Sequence, residues 1–309
     1  MKLARHSQIL FLAGAAGTLA AREPQVVFRV TAETVVVDVS VTRGSTPVTG
    51  LKASDFRVWD SGVQQRIDAL SMQGIPVDVS LALETTRLAP ASLQNLSARL
   101  EAIAGLLRTE DRLRVLTIGT YVSEVLPMQP AARASRIRIT SPGGRAASLY
   151  DALVMSLLHE VEPTRRHLIV ALTREHDLRS AVDSTSLREV VSRSDAVVHI
   201  VEIASQLDPW PDAAVEVQFR ADEYGRRTLT EIAELTGGQF HGINLFRDRV
   251  VEGFGRAFDQ FRQSYVLSYS PEGVPREGWH QIRVELATPG GYTVRARRGY
   301  FRASPIRSG

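Results

Sequence analysis

The sequence predicts an α/β fold: a doubly wound, mainly parallel sheet with helices on both faces, joined to a small β-sandwich-like domain built from the N- and C-terminal flanks. Three observations predict it. Between residues 76 and 262, nearly continuous apolar runs alternate with helical periodicity, as expected of βα units whose strands are covered on both faces. Residues 26–72 and 264–302 instead alternate apolar with polar, the period of half-buried strands. Two of the apolar runs, 113–118 and 122–128, lie too close for a helical crossover, so those strands are expected to be antiparallel neighbours.

Taken in order, Lys2, Arg5 and His6 precede the apolar stretch ILFLAGAAGTLA, which reads as a secretory signal over residues 1–21, cleaved near Ala20 or Ala21. An uncleaved membrane anchor is the alternative, but about 12 apolar residues are too few to span a bilayer and no other segment approaches that length, so the mature chain is expected to have no membrane span. The expected location is exported: periplasmic, cell-surface or extracellular. VVFRV, ETVVVDVSVT, DFRVWD and QQRIDAL follow as short strands, with a turn at Asp60-Ser61-Gly62. Parallel strands are expected at 77–83, 113–118, 167–172, 197–203 and 239–243. Ser148 is placed to cap a helix carrying Leu149, Leu153, Leu157 and Leu158, and a helix at 228–235 stops at Gly237-Gly238. SYVLSYS, HQIRVELA and YTVRARRGYF close the chain as strands separated by Pro/Gly turns. Neither flank can bury a core alone; together they offer about seven strands, the count of a small sandwich. Two separate β-additions packed on the insert are the alternative. The expected divisions are therefore 1–21, 26–72, 76–262 and 264–302.

Composition narrows the function. The 37 cationic residues exceed the 34 anionic ones by only three and are scattered without a basic run, which argues against nucleic acid as partner. No cysteine is present, so there is no disulfide framework, thiolate metal site or lipid-modified cysteine. The histidines form no His-x-x-x-His pair, and His199, inside an apolar run, reads as a core residue. Gly143-Gly144-Arg145 lacks the Gly-Lys-Ser/Thr ending of a P-loop and reads as a turn. There is no Gly-x-Ser-x-Gly elbow, and no Ser-His-Asp set that the expected topology unites, so no enzyme is expected. Trp59 and Trp279 lie in β runs and are expected in the sandwich core. Trp210, stiffened by Pro209 and Pro211, is either a partner anchor or packed in its loop.

The most informative stretch is PVDVSLALETTRL, residues 76–88. It is an apolar strand ending in Glu84 and two hydroxyls, at the sheet edge where open α/β folds hold ligands. It resembles the first strand of a von Willebrand factor type A (VWA) domain, a Rossmann-like fold whose metal loop reads Asp-x-Ser-x-Ser. Further segments are similar to the VWFA-related domain proteins of acidobacterial genomes: VDVSVTRGSTPVTGLKASDFRVWDSGVQQRI, GGRAASLYDAL, LTREHDLRS, IAELTGGQF, SYVLSYSPEG and TVRARRGYF. The match covers essentially the whole mature chain and rests on the order and spacing of these pieces. It implies an exported VWA domain between β flanks, with one short antiparallel edge strand.

The resemblance also implies a magnesium-type cation held by the Asp-x-Ser-x-Ser loop, a Thr of a second loop and an Asp of a third. Here Glu84 stands for the Asp, Thr86 for the first Ser and Leu88 for the second. Ala147 stands for the Thr with Ser148 beside it, and Arg174 for the last Asp. Magnesium demands oxygen ligands at about 2.0–2.1 Å in near-octahedral order. Leu88 and Ala147 offer none, and a guanidinium has no acceptor atom. A unit charge about 5 Å from a dication at an effective dielectric near 20 is repelled by roughly 6–7 kcal/mol. The expectation is therefore no cofactor, with Arg174 pairing to Glu84 in the cation's place. Arg174 turned to solvent, or a displaced magnesium site on Glu84, Thr86, His176 and Asp177, are the alternatives. The expected function is a non-enzymatic protein-binding module with a degenerate metal site. Its face is drawn from Glu84, Thr86, Arg87, Arg145, Ser148, Arg174, His176 and Asp177, and favours an acidic partner segment. A metal-dependent adhesion domain and a structural envelope-assembly protein are the competing classes.

Overall fold

The computed structural model describes residues 34–302 except 73, 87–89, 135–136, 145, 160–161, 174–176, 205–211 and 245–248. The leader, the first expected strand at 26–30, Trp210, Arg87, Leu88, Arg145, Arg174 and His176 lie outside the described residues. In chain order come β1 (Val35–Arg43), β2 (Thr46–Pro47), β3 (Phe56–Asp60), β4 (Val63–Gln65) and β5 (Ala69–Ser71). An alternating stretch follows: β6 (Val77–Glu84), α1 (Pro90–Ala104), β7 (Arg112–Ile118), β8 (Val122–Pro130), α2 (Leu149–Leu157), β9 (Arg166–Thr173), α3 (Ser184–Ser192), β10 (Val197–Ala204), α4 (Asp212–Leu235), β11 (Phe240–Asn244) and α5 (Arg249–Arg262). Four strands close the described chain: β12 (Tyr265–Tyr269), β13 (Gly278–Leu286), β14 (Thr293–Ala296) and β15 (Gly299–Arg302).

The central sheet runs β11-β10-β9-β6-β7-β8, the doubly wound order, parallel throughout except for β8 against β7. β6 and β9 are buried along their whole length, which is why they read as nearly continuous apolar runs, their few polar residues being buried too. On one face α1 and α5 pack Leu100, Ile103, Phe254 and Phe258 against Val79, Leu81 and Val170. On the other, α2, α3 and α4 pack Leu153, Leu187 and Ile232 against Ala82, Ile169 and Val198. The helix expected at 228–235 is the last third of α4, and the chain leaves it through Gly237 at φ +82°, a left-handed position that glycine takes without steric cost.

Strands from before and after the α/β stretch pair directly. One sheet is ordered β14-β1-β12-β5 with β2 beside β1, the other β15-β13-β3-β4. They share a core of Val37, Val39, Phe56, Val58, Tyr265, Leu267 and Ile282. Within it Asp60 is fully buried, accepting from Tyr269 Oη (3.0 Å) and Tyr300 Oη (2.8 Å) and pairing with His280 Nδ1 (2.9 Å). Burial, with Asp60 beside it, keeps the Tyr269 phenol protonated far above its ordinary range. Arg166 ties this region to the central sheet: its guanidinium pairs with Asp38 of β1 and donates to Phe261 O (2.8 Å) and Ser264 Oγ (2.6 Å).

One expectation fails here. Trp59 and Trp279 are not core residues; Trp279 is 45% exposed, and both stand on the outer face of the β15-β13-β3-β4 sheet. Strand parity is the reason. Phe56 and Val58 point inward on β3, as do Ile282 and Val284 on β13, so their odd-numbered neighbours must face out.

Candidate functional site

The strand order reverses between β6 and β9, so the crevice beyond their carboxyl ends is the topological switch point. Glu84 is the last residue of β6 and is only 6% exposed. Thr173, the last residue of β9, donates through Oγ1 to Glu84 Oε2 at 2.8 Å, and Thr86 Oγ1 donates to Glu84 Oε1. Thr86 is fully buried and Thr173 almost so. Thr85 turns toward β7, both its N–H (2.8 Å) and its hydroxyl (3.1 Å) donating to Ile118 O. Ser141 Oγ donates to Thr85 O at 3.1 Å, which ties the loop before α2 to the same edge. Thr173 escaped the sequence reading. The register of β6 with β9, set by their apolar runs, was the signal that places it opposite Glu84.

Ser148 does not cap α2, contrary to expectation. Its hydroxyl donates to Thr120 O at 2.7 Å and makes no cap hydrogen bond, while its N–H donates to Gly119 O at 2.9 Å. The open amides at the start of α2 are met from a distant loop instead. Asp177 Oδ1 accepts from Tyr150 N (3.0 Å) and Ser180 Oγ accepts from Asp151 N (2.9 Å). Ser180 Oγ also donates to Asp177 Oδ1 at 2.5 Å. Asp151 returns the favour, its carboxylate accepting from Ala181 N and Val182 N at 3.1 Å each. A carboxylate at a helix N-terminus gains from the free N–H groups and the macrodipole. Asp177 is therefore held against α2 by the same loop that the sequence placed on the recognition face. Ala147, at the position the resemblance gives to a metal-binding Thr, is fully buried. Of the eight face residues, the described ones are Glu84, Thr86, Ser148 and Asp177. The first two meet each other; the other two serve the α2 junction.

The opposite edge of the sheet carries chemistry that the sequence reading did not anticipate. Asp78, fully buried near the start of β6, accepts from Arg112 Nε (2.8 Å) and Arg165 Nε (2.6 Å). Burial alone would raise its pKa, but these two guanidiniums outweigh it and hold the carboxyl below its ordinary value. Ser80 Oγ lies 3.1 Å from His167 Nε2, both buried. Burial, with His159 beside it, lowers the His167 pKa to about 4. His199 and His241 stack 5.5 Å apart with ring nitrogens at 3.2 Å, and burial above all lowers them to about 3 and about 4. Among the described residues, no group of three or more His, Asp or Glu side chains is placed to hold a metal ion.

No protein-family model and no curated protein matches the chain. Solved structures do resemble it. A von Willebrand factor type A protein from Catenulispora acidiphila aligns over 90% of this chain and 76% of its own, at 11% identity and a TM-score of 0.47. The conserved hypothetical protein BatB from Bacteroides thetaiotaomicron aligns over 60% of this chain and 98% of its own, at 10% identity and a TM-score of 0.41. Proximal thread matrix protein 1 from the mussel byssus, in a structure with a zinc-occupied MIDAS motif, aligns over 65% and 49%, at 10% identity and a TM-score of 0.46. These are likenesses of fold. This chain's own strand order, its single antiparallel edge strand and its two helical layers make the α/β stretch a VWA-type fold.

Proposed function

We propose that this chain is an exported, non-enzymatic binding module of the VWA type, whose carboxyl sheet edge recognises a protein partner without a metal ion. One observation carries the reading: both oxygens of Glu84 accept threonine hydroxyls, while Ser148 and Asp177 are spent on the α2 junction. A hard dication needs about six oxygens in near-octahedral order. The described donors do not fit that demand. A displaced site would have to draw Asp177 away from Tyr150 N, which argues against it. Arg174, next after Thr173 in the sequence and outside the described residues, supplies the counter-charge for Glu84 in this proposal. With Arg87 and Arg145 it biases the face toward an acidic partner segment.

The remaining parts of the proposal have separate supports. Export rests on the leader, and no helix among the described residues is long and apolar enough to cross a membrane. A binding role rather than catalysis is supported by the buried state of Ser80 and His167, which no substrate reaches. The flanks 26–72 and 264–302 are taken as one discontinuous domain around 76–262, supported by the pairing of β1 with β12 and of β3 with β13.

Calorimetric titration of the purified chain with magnesium and manganese tests the metal-free half; no binding in the micromolar range is expected, and micromolar affinity would overturn it. Capture of partners from the native envelope by wild type and by Arg174→Ala tests the recognition half. Weaker capture by the variant is expected, and unchanged capture would count against an ionic face.

A further inference from the structure

We propose that the outer face of the β15-β13-β3-β4 sheet is a second binding surface, fitted to an acidic polysaccharide of the polyuronate kind. Strand parity sets Trp59 on β3, Trp279 and Arg283 on β13 and Phe301 on β15 on one side. Across the ladder Trp279 stands opposite Phe301, and Arg283 opposite Trp59. Trp279 and Phe301 are 45% and 40% exposed, among the large apolar side chains left in solvent. A Cβ on Gly299 would sit 2.3 Å from Cζ2 of Trp279, so glycine there lets the indole rest directly on the neighbouring strand. Its other side is left as an open platform.

Guanidiniums lie over the other two rings. Arg283 Cζ is 4.1 Å from the Trp59 ring centroid and Arg193 Cζ is 4.5 Å from that of Phe301. Stacking orders these forks before a ligand arrives, which lowers the entropy lost on binding. Arg57 sits opposite Glu285 in the register. Glu285 is the acidic side chain facing out from these strands, paired with Arg283 at 3.0 Å; Glu189 of α3 lies 4.0 Å from Arg193. Arg57, Arg193 and Arg283 against Glu189 and Glu285 leave one guanidinium in excess, so the face is net cationic, the complement of an anionic ligand.

Aromatic platforms stack on the C–H faces of pyranose rings, and a guanidinium fork matches a carboxylate in geometry and charge. Trp279 and Arg283 are four residues apart on one strand, about 13 Å. One sugar does not reach across that distance, so the ligand is a polymer. Rings and arginines can also stack the bases of a single-stranded nucleic acid. The leader favours the glycan, because an exported chain meets polyuronates where nucleic acid is scarce.

Affinity electrophoresis of the full chain in gels containing polygalacturonate, dextran or poly(U) is the test. Retardation by polygalacturonate is expected, with dextran inert and poly(U) weaker. Trp279→Ala and Arg283→Gln should each weaken it at least tenfold, and Arg57→Gln by less. Arg283→Gln touches no buried packing, so loss of retardation at an unchanged melting temperature reports the face and not the fold. No retardation by polygalacturonate, retardation that survives Arg283→Gln, or stronger retention by poly(U) would each overturn the proposal.

Discussion

Strand β6 carries a buried carboxylate near each end, and the two are served differently. Asp78 at the amino edge is clasped by the guanidiniums of Arg112 and Arg165, with Arg112 also reaching Glu162. Glu84 at the carboxyl edge receives hydroxyls from Thr86 and Thr173. Six residues apart, they point to the same side of the same strand. Full charge pairing at Asp78 fixes loops and leaves nothing to offer a ligand. Hydroxyl bonds meet both oxygens of Glu84, and in the proposed function Arg174 supplies its counter-charge at the recognition edge. The amino edge is thus a cluster of buried ion pairs, and the carboxyl edge is the proposed binding edge.

Substitution at both ends is the strongest way to break that contrast. Asp78→Asn takes from Arg165 its carboxylate and leaves Arg112 with Glu162 alone, and an expected loss of about 3 kcal/mol follows from removing one partner of a buried ion pair. Glu84→Gln keeps acceptor and donor groups for both threonines and should cost about 1 kcal/mol. Urea denaturation measures both; equal losses would erase the distinction between the edges.

Acid provides a second probe, sharpest at the amino edge. The folded pKa values of His167, His199 and His241 lie at about 4, 3 and 4, against an ordinary 6.5. Below pH 6.5 the unfolded chain takes up protons that the folded chain refuses, so stability must fall as the pH drops toward 4. The slope approaches about 1.4 kcal/mol per pH unit for each group. Denaturation at pH 6.5 and pH 5, above the main carboxylate range, should show the loss, and His167→Asn should shrink it. A flat profile would mean that these rings are solvated.

The smallest effects concern the α2 junction. Asp177→Ala removes the acceptor for Tyr150 N and should cost about 1 kcal/mol, as other lost caps do. Ser148→Ala, which loses one bond to Thr120 O, should cost about 0.5 kcal/mol. The reverse order would restore the hydroxyl as the cap.

These outcomes bear on what a sequence reveals. The parallel strands were legible because burial on both faces leaves little besides apolar residues, and β8 because three residues between strands admit only an antiparallel return. Glu84 was legible as the end of such a run. The capping of α2 was not, because Asp177 and Ser180 arrive from a loop some thirty residues away and displace the local Ser148. The Asp78 cluster was hidden for a like reason: Arg112 and Arg165 are remote in sequence and meet only through the register of three strands. Trp59 and Trp279 were misplaced although the signal existed, since the inward set Phe56, Val58, Ile282 and Val284 fixes their parity.

The most direct test of the central claim is diffraction from crystals grown with abundant manganese, recorded for anomalous scattering. The account predicts that no anomalous peak lies within coordination distance of Glu84. A peak there, ringed by six oxygens that include Glu84 and Thr86, would contradict it.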